Sequence, residues 1–323
     1  MPTTRRIVLK SLGVALGASV LPHSTWAADA RLTVVATTGM IADTARVIGG
    51  DLVEVKALMG PGVDPHAYRQ TRTDILGMRR ADLILWNGLY LEAQMEEVLE
   101  EMSALVSVHA VAEAVSEEQR IAHDDYVDRF DPHVWMDPVL WREVVMAIRQ
   151  AMTDAAPQHG DAFAANADAY LDQLDGLALY TREVLGSVPE ERRVLLTAHD
   201  AFNYFGRAYG FEVIGIQGIS TESEAGLNRI SELVDLLVDR QIGAVFVESS
   251  VSDRSVRALI EGAAAKGHDV RIGGELYSDA MGAPGTYEGT YVGMIDHNAT
   301  VIAKALGGDA PERGMSGKLS VGS

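Results

Sequence analysis

Leu32-Thr33-Val34-Val35-Ala36-Thr37-Thr38 opens the stretch that decides the fold. A helical pattern at Ile41–Ile48 follows it, then Gly49-Gly50, then a second β-branched and apolar run at Val53–Met59. Strand, turn, helix and strand in that order make a βαβ unit, whose two strands run parallel. The same pattern returns at Val194–Gly218, where a helix ending at Gly210 separates two strands. Working outward, runs at Leu83–Asn87 and Leu105–Val108 complete a first set of four strands. Val194–Ala198, Phe211–Gly218, Ala244–Glu248 and Val270–Gly274 make a second set, with helical patterns such as Ile230–Arg240 between them. Strands alternating with helices predict parallel sheets covered on both faces. The reading is an α/β protein of two lobes, each a four-stranded parallel sheet flanked by helices.

Between the sets, Phe163, Ala167, Tyr170, Leu171, Leu174, Leu177, Tyr180 and Val184 recur at spacings of three and four, one continuous helix face. Pro157 sits where a first-turn proline is tolerated, and Gly186 and Pro189 mark the end. A helix over 157–187 would run roughly 40 Å at 1.5 Å per residue as a rigid spine, joining a lobe at 28–156 to a lobe at 188–308. The glycine-rich residues 309–323 read as a loose tail.

The 323 residues are 47% hydrophobic and 23% charged, a globular composition, with a formal net charge of −19. Such acidity excludes a general nucleic-acid binder and adsorption to anionic lipid, both of which need clustered Lys and Arg. There is no cysteine, so disulfides, thiolate chemistry, iron–sulfur clusters and thioether lipid anchors are excluded. Arg5-Arg6 and Lys10 precede a weakly apolar run from Ser11 to Leu21 and small residues at Thr25-Trp26-Ala27-Ala28. This is the pattern of a signal peptide over 1–27, and the paired arginines resemble a twin-arginine signal, a route for proteins that fold before crossing. Cleavage there removes three positive charges and no negative ones, leaving −22. The expectation is a monomeric, periplasmic protein with no membrane anchor.

Of nine histidines, His23 lies in the signal, and His109, His123, His159, His268 and His297 lack a supporting motif. Three remain, each in a polar turn where a strand gives way to a helix. His66 ends Gly60-Pro61-Gly62-Val63-Asp64-Pro65-His66, and His133 lies in Asp131-Pro132-His133-Val134-Trp135-Met136-Asp137-Pro138. His199 closes the strand at Val194–Ala198, and Asp279, just past the eighth strand, is a fourth candidate. In open α/β sheets ligands bind beyond the carboxyl ends of the strands, so two positions from each lobe would meet in the cleft. Three imidazoles and one carboxylate suit zinc first, then manganese or iron; calcium and magnesium want oxygens. Asp64, Asp131, Asp137 and Asp200 are candidates to accept the second ring N–H of a ligating histidine. The intervals of 67, 66 and 80 residues match no compact metal motif, so spacing alone leaves three unrelated loop histidines as the alternative.

Gly62-Val63-Asp64-Pro65-His66-Ala67-Tyr68, the Asp131–Pro138 stretch, His199-Asp200-Ala201-Phe202-Asn203-Tyr204-Phe205 and Gln217-Gly218-Ile219-Ser220-Thr221-Glu222-Ser223-Glu224-Ala225 resemble the solute-binding receptors of zinc and manganese ABC transporters. This is the TroA/ZnuA-like group, cluster A-I, and the resemblance runs from about Leu32 to Leu306. It implies paired α/β lobes joined by one long helix with a metal between them, held by His66, His133, His199 and Asp279. It implies delivery to a membrane permease driven by a cytoplasmic ATPase, and the chain has no Gly-x-x-x-x-Gly-Lys-Ser/Thr loop of its own.

Many manganese receptors of the group carry a glutamate where His199 stands, which tilts the cargo toward Zn2+, with Mn2+ or Fe2+ as the rival. Against zinc, the stretch Ala114–Asp131 offers only His123 with Asp124, Asp125 and Asp128, not the long His-rich loop of many zinc-dedicated members. A periplasmic zinc hydrolase is the alternative of another class, with Asp200 as base if Asp279 is no ligand. Asp279, near Gly273, Gly274 and Gly282, is the expected mobile ligand in release. Trp86, Trp135 and Trp141 are read as packing residues.

Overall fold

The computed structural model describes residues 31–123 and 126–320. The segment read as a signal peptide lies outside the described residues. The first half runs β1 (Leu32–Ala36), α1 (Gly39–Gly49), β2 (Val53–Ala57), α2 (Arg72–Met78), β3 (Leu83–Trp86), α3 (Glu96–Met102) and β4 (Ser107–Ala110). Its strands form one parallel sheet in the order β2-β1-β3-β4, with Leu32 opposite Val53 and Val34 opposite Leu83. β1 is central and covered on both faces, so Val34, Val35 and Ala36 are all buried. β2 is an edge strand and alternates, turning Val53 inward and Glu54 out. Gly49 ends α1 where the chain doubles back onto β2; a Cβ there would come within 2.2 Å of Val53, so the turn needs glycine.

α4 (Pro138–Ala155) and α5 (Gly160–Gly186) follow. Asp137 caps α4 by accepting from Val139 N at 2.9 Å, with Pro138 at the first helical position. The spine helix is present as α5, 27 residues long, preceded by a short 3-10 turn at Pro157–His159. It buries Phe163, Ala167, Tyr170, Leu174, Leu177 and Val184, whereas Leu171 and Tyr180 are only partly covered.

The second half runs β5 (Val194–Thr197), α6 (Asn203–Tyr209), β6 (Glu212–Gly215), α7 (Leu227–Asp239), β7 (Ala244–Glu248), α8 (Arg254–Ala265), β8 (Arg271–Leu276) and α9 (Tyr291–Ala305). Its four strands form two hydrogen-bonded parallel pairs, β5–β6 and β7–β8, rather than one continuous ladder. β5 neighbours β7, and a bulge between Val245 and Phe246 adds local twist to the second pair. Residues on these strands serve two layers in alternation. Val194 and Leu196 pack with Leu233, Leu237, Val256 and Leu259 of α7 and α8, while Leu195 points into the other core.

That other core adds to the picture of two lobes joined by the helix α5. A single apolar cluster runs from Val34 and Ile41 through Trp141, Phe163 and Leu177 to Leu195, Phe246 and Ile295. α4, α5 and α9 all contribute, and α9 is buried along most of its length. Trp141 of the first half stacks on Tyr291 of α9 at 5.1 Å, and Tyr291 N donates to Asp43 on α1. Trp135 and Trp141 are fully buried, and Trp86 packs against a smaller cluster.

The tail is not loose between Asp309 and Ser320. Met315 N donates to both carboxylate oxygens of Asp296 at 3.0 Å, Ser320 N donates to Glu288, and Leu319 is buried. Buried acceptors on and beside α9 hold the segment down by its backbone, which composition alone does not reveal. Among the described residues, no helix is long and apolar enough to cross a membrane.

Candidate metal centre

Four loops converge between the two halves, three of them following β2, β5 and β8. His66 lies in the irregular loop after β2, where Asp64 Oδ1 accepts from His66 N at 2.9 Å. His133 precedes α4, and a single atom, Asp131 Oδ1, accepts from both its backbone N at 2.9 Å and its Nδ1 at 2.7 Å. Asp131 is held in turn by Asn203 and by Tyr204, whose hydroxyl donates to its carbonyl at 2.8 Å. His199 stands two residues beyond Thr197, the last residue of β5. Glu248, the last residue of β7, accepts from its backbone N at 2.9 Å and its Nδ1 at 2.5 Å. Asp279 follows β8, on a loop tied to the His133 turn by the indole of Trp135, which donates to Ser278 O at 2.8 Å.

These four side chains face one another and are 3% exposed or less. Nε2 of His66 is 3.3 Å from Nε2 of His133. Asp279 Oδ1 is 3.4 Å from His133 Nε2, and Oδ2 is 3.2 Å from His199 Nε2. One donor atom from each residue lies within 4.8 Å of every other. A tetrahedron with metal–ligand bonds of about 2.05 Å has an edge of about 3.3 Å; the His66–His133 pair stands at that spacing, and the four donors together lie within 4.8 Å. His133 and His199 each carry a carboxylate behind the distal nitrogen, which fixes the ring and leaves Nε2 free to ligate.

The charges are arranged for a cation. Burial pulls the His66 imidazole down to about 3, so it is a neutral donor. Burial also disfavours charge on His133, but Asp131 and Asp279 outweigh it and hold that ring at about 9. Asp279 and Glu248 likewise outweigh burial at His199 and raise it well above its ordinary value. Burial would raise Asp279, yet His199 and His133 hold it well below the usual carboxylate range. The neighbouring carboxylates thus favour the protonated form of both His133 and His199.

Of the carboxylates expected to back a histidine, Asp131 does so through the ring and Asp64 only through the backbone of His66. Asp137 caps α4 instead. Asp200 is not the carboxylate on the His199 ring, a place Glu248 takes, and burial pushes it up to about 6. Glu248 was missed by sequence reasoning; its signal is an acid closing the apolar strand Ala244–Glu248, at the end of a sheet where the other candidates sit. The remaining described histidines serve elsewhere: His268 and His297 bond backbone carbonyls, and His159 packs on Phe163. Among the described residues the four form the one group of His, Asp and Glu fit to hold an ion.

Residues 34–305 match the family model described as the periplasmic zinc-uptake complex component A. The chain belongs to that family. The zinc-uptake component A family supplies the substrate-binding component of metal ABC transporters. The manganese-binding lipoprotein MntA of Bacillus subtilis is 51% identical over 279 residues, covering 86% of this chain and 91% of its own. The zinc-binding protein TroA of Treponema pallidum is 48% identical over 280 residues, 87% of this chain and 90% of its own. Its solved structure superposes with a TM-score of 0.83 over 85% of this chain and 99% of TroA. The iron-binding protein YfeA of Yersinia pestis is 31% identical over 277 residues, 86% of this chain and 87% of its own.

Proposed function

We propose that the protein captures a divalent transition-metal ion in the periplasm through His66, His133, His199 and Asp279, and delivers it to an ABC permease energised by a cytoplasmic ATPase. The observation that carries this reading is the convergence of three imidazole nitrogens and one carboxylate, all buried, from four separate loops. A hydrolytic zinc site would keep a position open to water. Here Asp279 supplies a fourth donor and the ring of donors is closed to solvent, which supports capture rather than turnover.

Zn2+ is the cargo that the donor set favours, since three borderline nitrogen ligands beside one carboxylate suit it best. Mn2+ or Fe2+ is the second reading, favoured by one feature of the site. Both oxygens of Asp279 face imidazoles, so a bidentate carboxylate would bring the donor count to five, suited to a larger ion. The relatives are named for all three metals. Zinc and manganese dissociation constants of the metal-stripped protein, measured by chelator competition in one buffer, test the assignment. Zinc binding at nanomolar Kd or tighter with manganese orders of magnitude weaker supports zinc, the reverse order supports manganese, and no tight binding of either ion refutes the site.

A further inference from the structure

The buried donors raise the question of how an ion enters and leaves. Rotation of whole lobes is costly, because one apolar core runs through both halves by way of α4, α5 and α9. A single donor loop must therefore move, and the four are not held alike. His133 and His199 each have a carboxylate on the ring and the backbone. Asp279 lies between those two rings, with the adjoining Ser278 tied to Trp135 and to the Ser250 hydroxyl. Among the described residues, the His66 ring has no carboxylate behind it.

Its loop, Gly60 to Gln70, contains no helix or strand, and Gly62 adopts a φ of +70° where the loop passes close to the Ser249 carbonyl of the second half. A cavity of about 510 Å³ adjoins Gly60 and Pro61 on one side and Asp279 and Met281 on the other. What ties the loop across the cleft is Asp64. Its Oδ1 accepts from His66 N, and its Oδ2 accepts from the Thr221 hydroxyl at 2.5 Å. Gln94 and Glu222 add a second hydrogen bond between the same two halves.

We infer that His66 is the mobile donor and that Thr221, through Asp64, is the latch that keeps it on the ion. Thr221 touches no donor atom and acts as a positioning residue. The inference rests on the metal-receptor reading, and it moves the mobile element from the Asp279 loop to the His66 loop. The latch belongs to the segment 217–226 of the second half, whose residues 222–224 are exposed, so whatever displaces that stretch frees His66.

The test loads the full-length protein with Zn2+ and follows release into an excess of chromophoric chelator, for the parent, Thr221→Val and Thr221→Ser. Loss of one hydrogen bond to a carboxylate predicts release about tenfold faster for Thr221→Val. Thr221→Ser, which keeps the hydroxyl, should stay within about twofold of the parent. Hydrogen exchange of the metal-free proteins gives a second readout: residues 60–70 should exchange faster in Thr221→Val while 276–282 do not change. Release within about twofold of the parent in Thr221→Val, or faster exchange at 276–282 instead of 60–70, overturns the latch. A parent that takes up neither Zn2+ nor Mn2+ refutes the receptor reading itself, and the latch falls with it.

Discussion

Replacing Glu248 by Gln tests whether the distal carboxylates set the donor geometry. Glu248 accepts twice from His199, at the backbone N and at Nδ1, and a carboxylate can do both because all its sites are acceptors. A glutamine of the same shape has one acceptor end and one donor end. If its oxygen stays on the backbone N–H, its NH2 faces Nδ1, which must then accept. The ring proton moves to Nε2, the atom 3.2 Å from Asp279 that would hold the ion. If the amide flips, two N–H groups face each other in a site closed to water. Either way a charge-assisted hydrogen bond is lost, roughly 1.5–3 kcal/mol for a bond to a charged group. Outer carboxylates of this kind are typically worth about 10- to 100-fold in metal affinity. The expected result is a zinc Kd weaker by that factor in chelator competition, with an unchanged circular dichroism spectrum. A Kd within about twofold of the parent in a folded Glu248→Gln would show that the packing of β5, not Glu248, orients the ring.

Four further outcomes follow from the site and core. At neutral pH, where His133 and His199 hold protons that an ion must displace, zinc binding should release protons, as calorimetry in buffers of different ionisation heat would show; release of none contradicts the charge arrangement. His133 is raised in the folded state, so its stabilising proton is fully present below about 6.5 and lost as pH rises through about 9; denaturant titrations should therefore show the metal-free protein losing stability across that window. Zinc at about 1,000 times its Kd should stabilise the fold by about 4 kcal/mol, a rise in Tm on the order of 10 °C, and Asp279→Ala should remove most of it in a calorimetric scan. Phe163→Ala, which opens a cavity where α5 meets the shared core, should cost about 3–5 kcal/mol in urea unfolding; a loss under 1 kcal/mol would mean that the core closes over the gap.

The strands were legible because parallel sheets bury both faces and leave short apolar runs between helices. Boundaries were less so: the run at Leu105–Val108 is displaced from the strand Ser107–Ala110, and Leu105 is largely exposed. His66, His133 and His199 stood out because a polar turn after an apolar strand is a poor place to bury an imidazole without purpose. Glu248 did not, because it ends an apolar strand 49 positions from the ring it holds. α9 hid the shared core. Burial nearly all round, with Asp296, His297, Asn298 and Thr300 inside, gives it no polar face and so no clean helical period. The tail misled for a related reason: glycine content reports chain freedom, whereas the carboxylate of Asp296 that holds Met315 lies on another element.

The packing of α9 bears on how the chain is made. Tyr291 stacks on Trp141 and donates its N–H to Asp43, 248 residues earlier. A ribosome releasing this chain from its N-terminus therefore produces a first half whose core stays open until nearly the last residues have emerged. Contacts this distant in sequence form slowly, since the loop they close must be brought together first. A nascent chain threaded through a membrane would spend that interval split between two compartments. An exported chain of this topology would avoid the split only by closing α9 onto the core before it crosses.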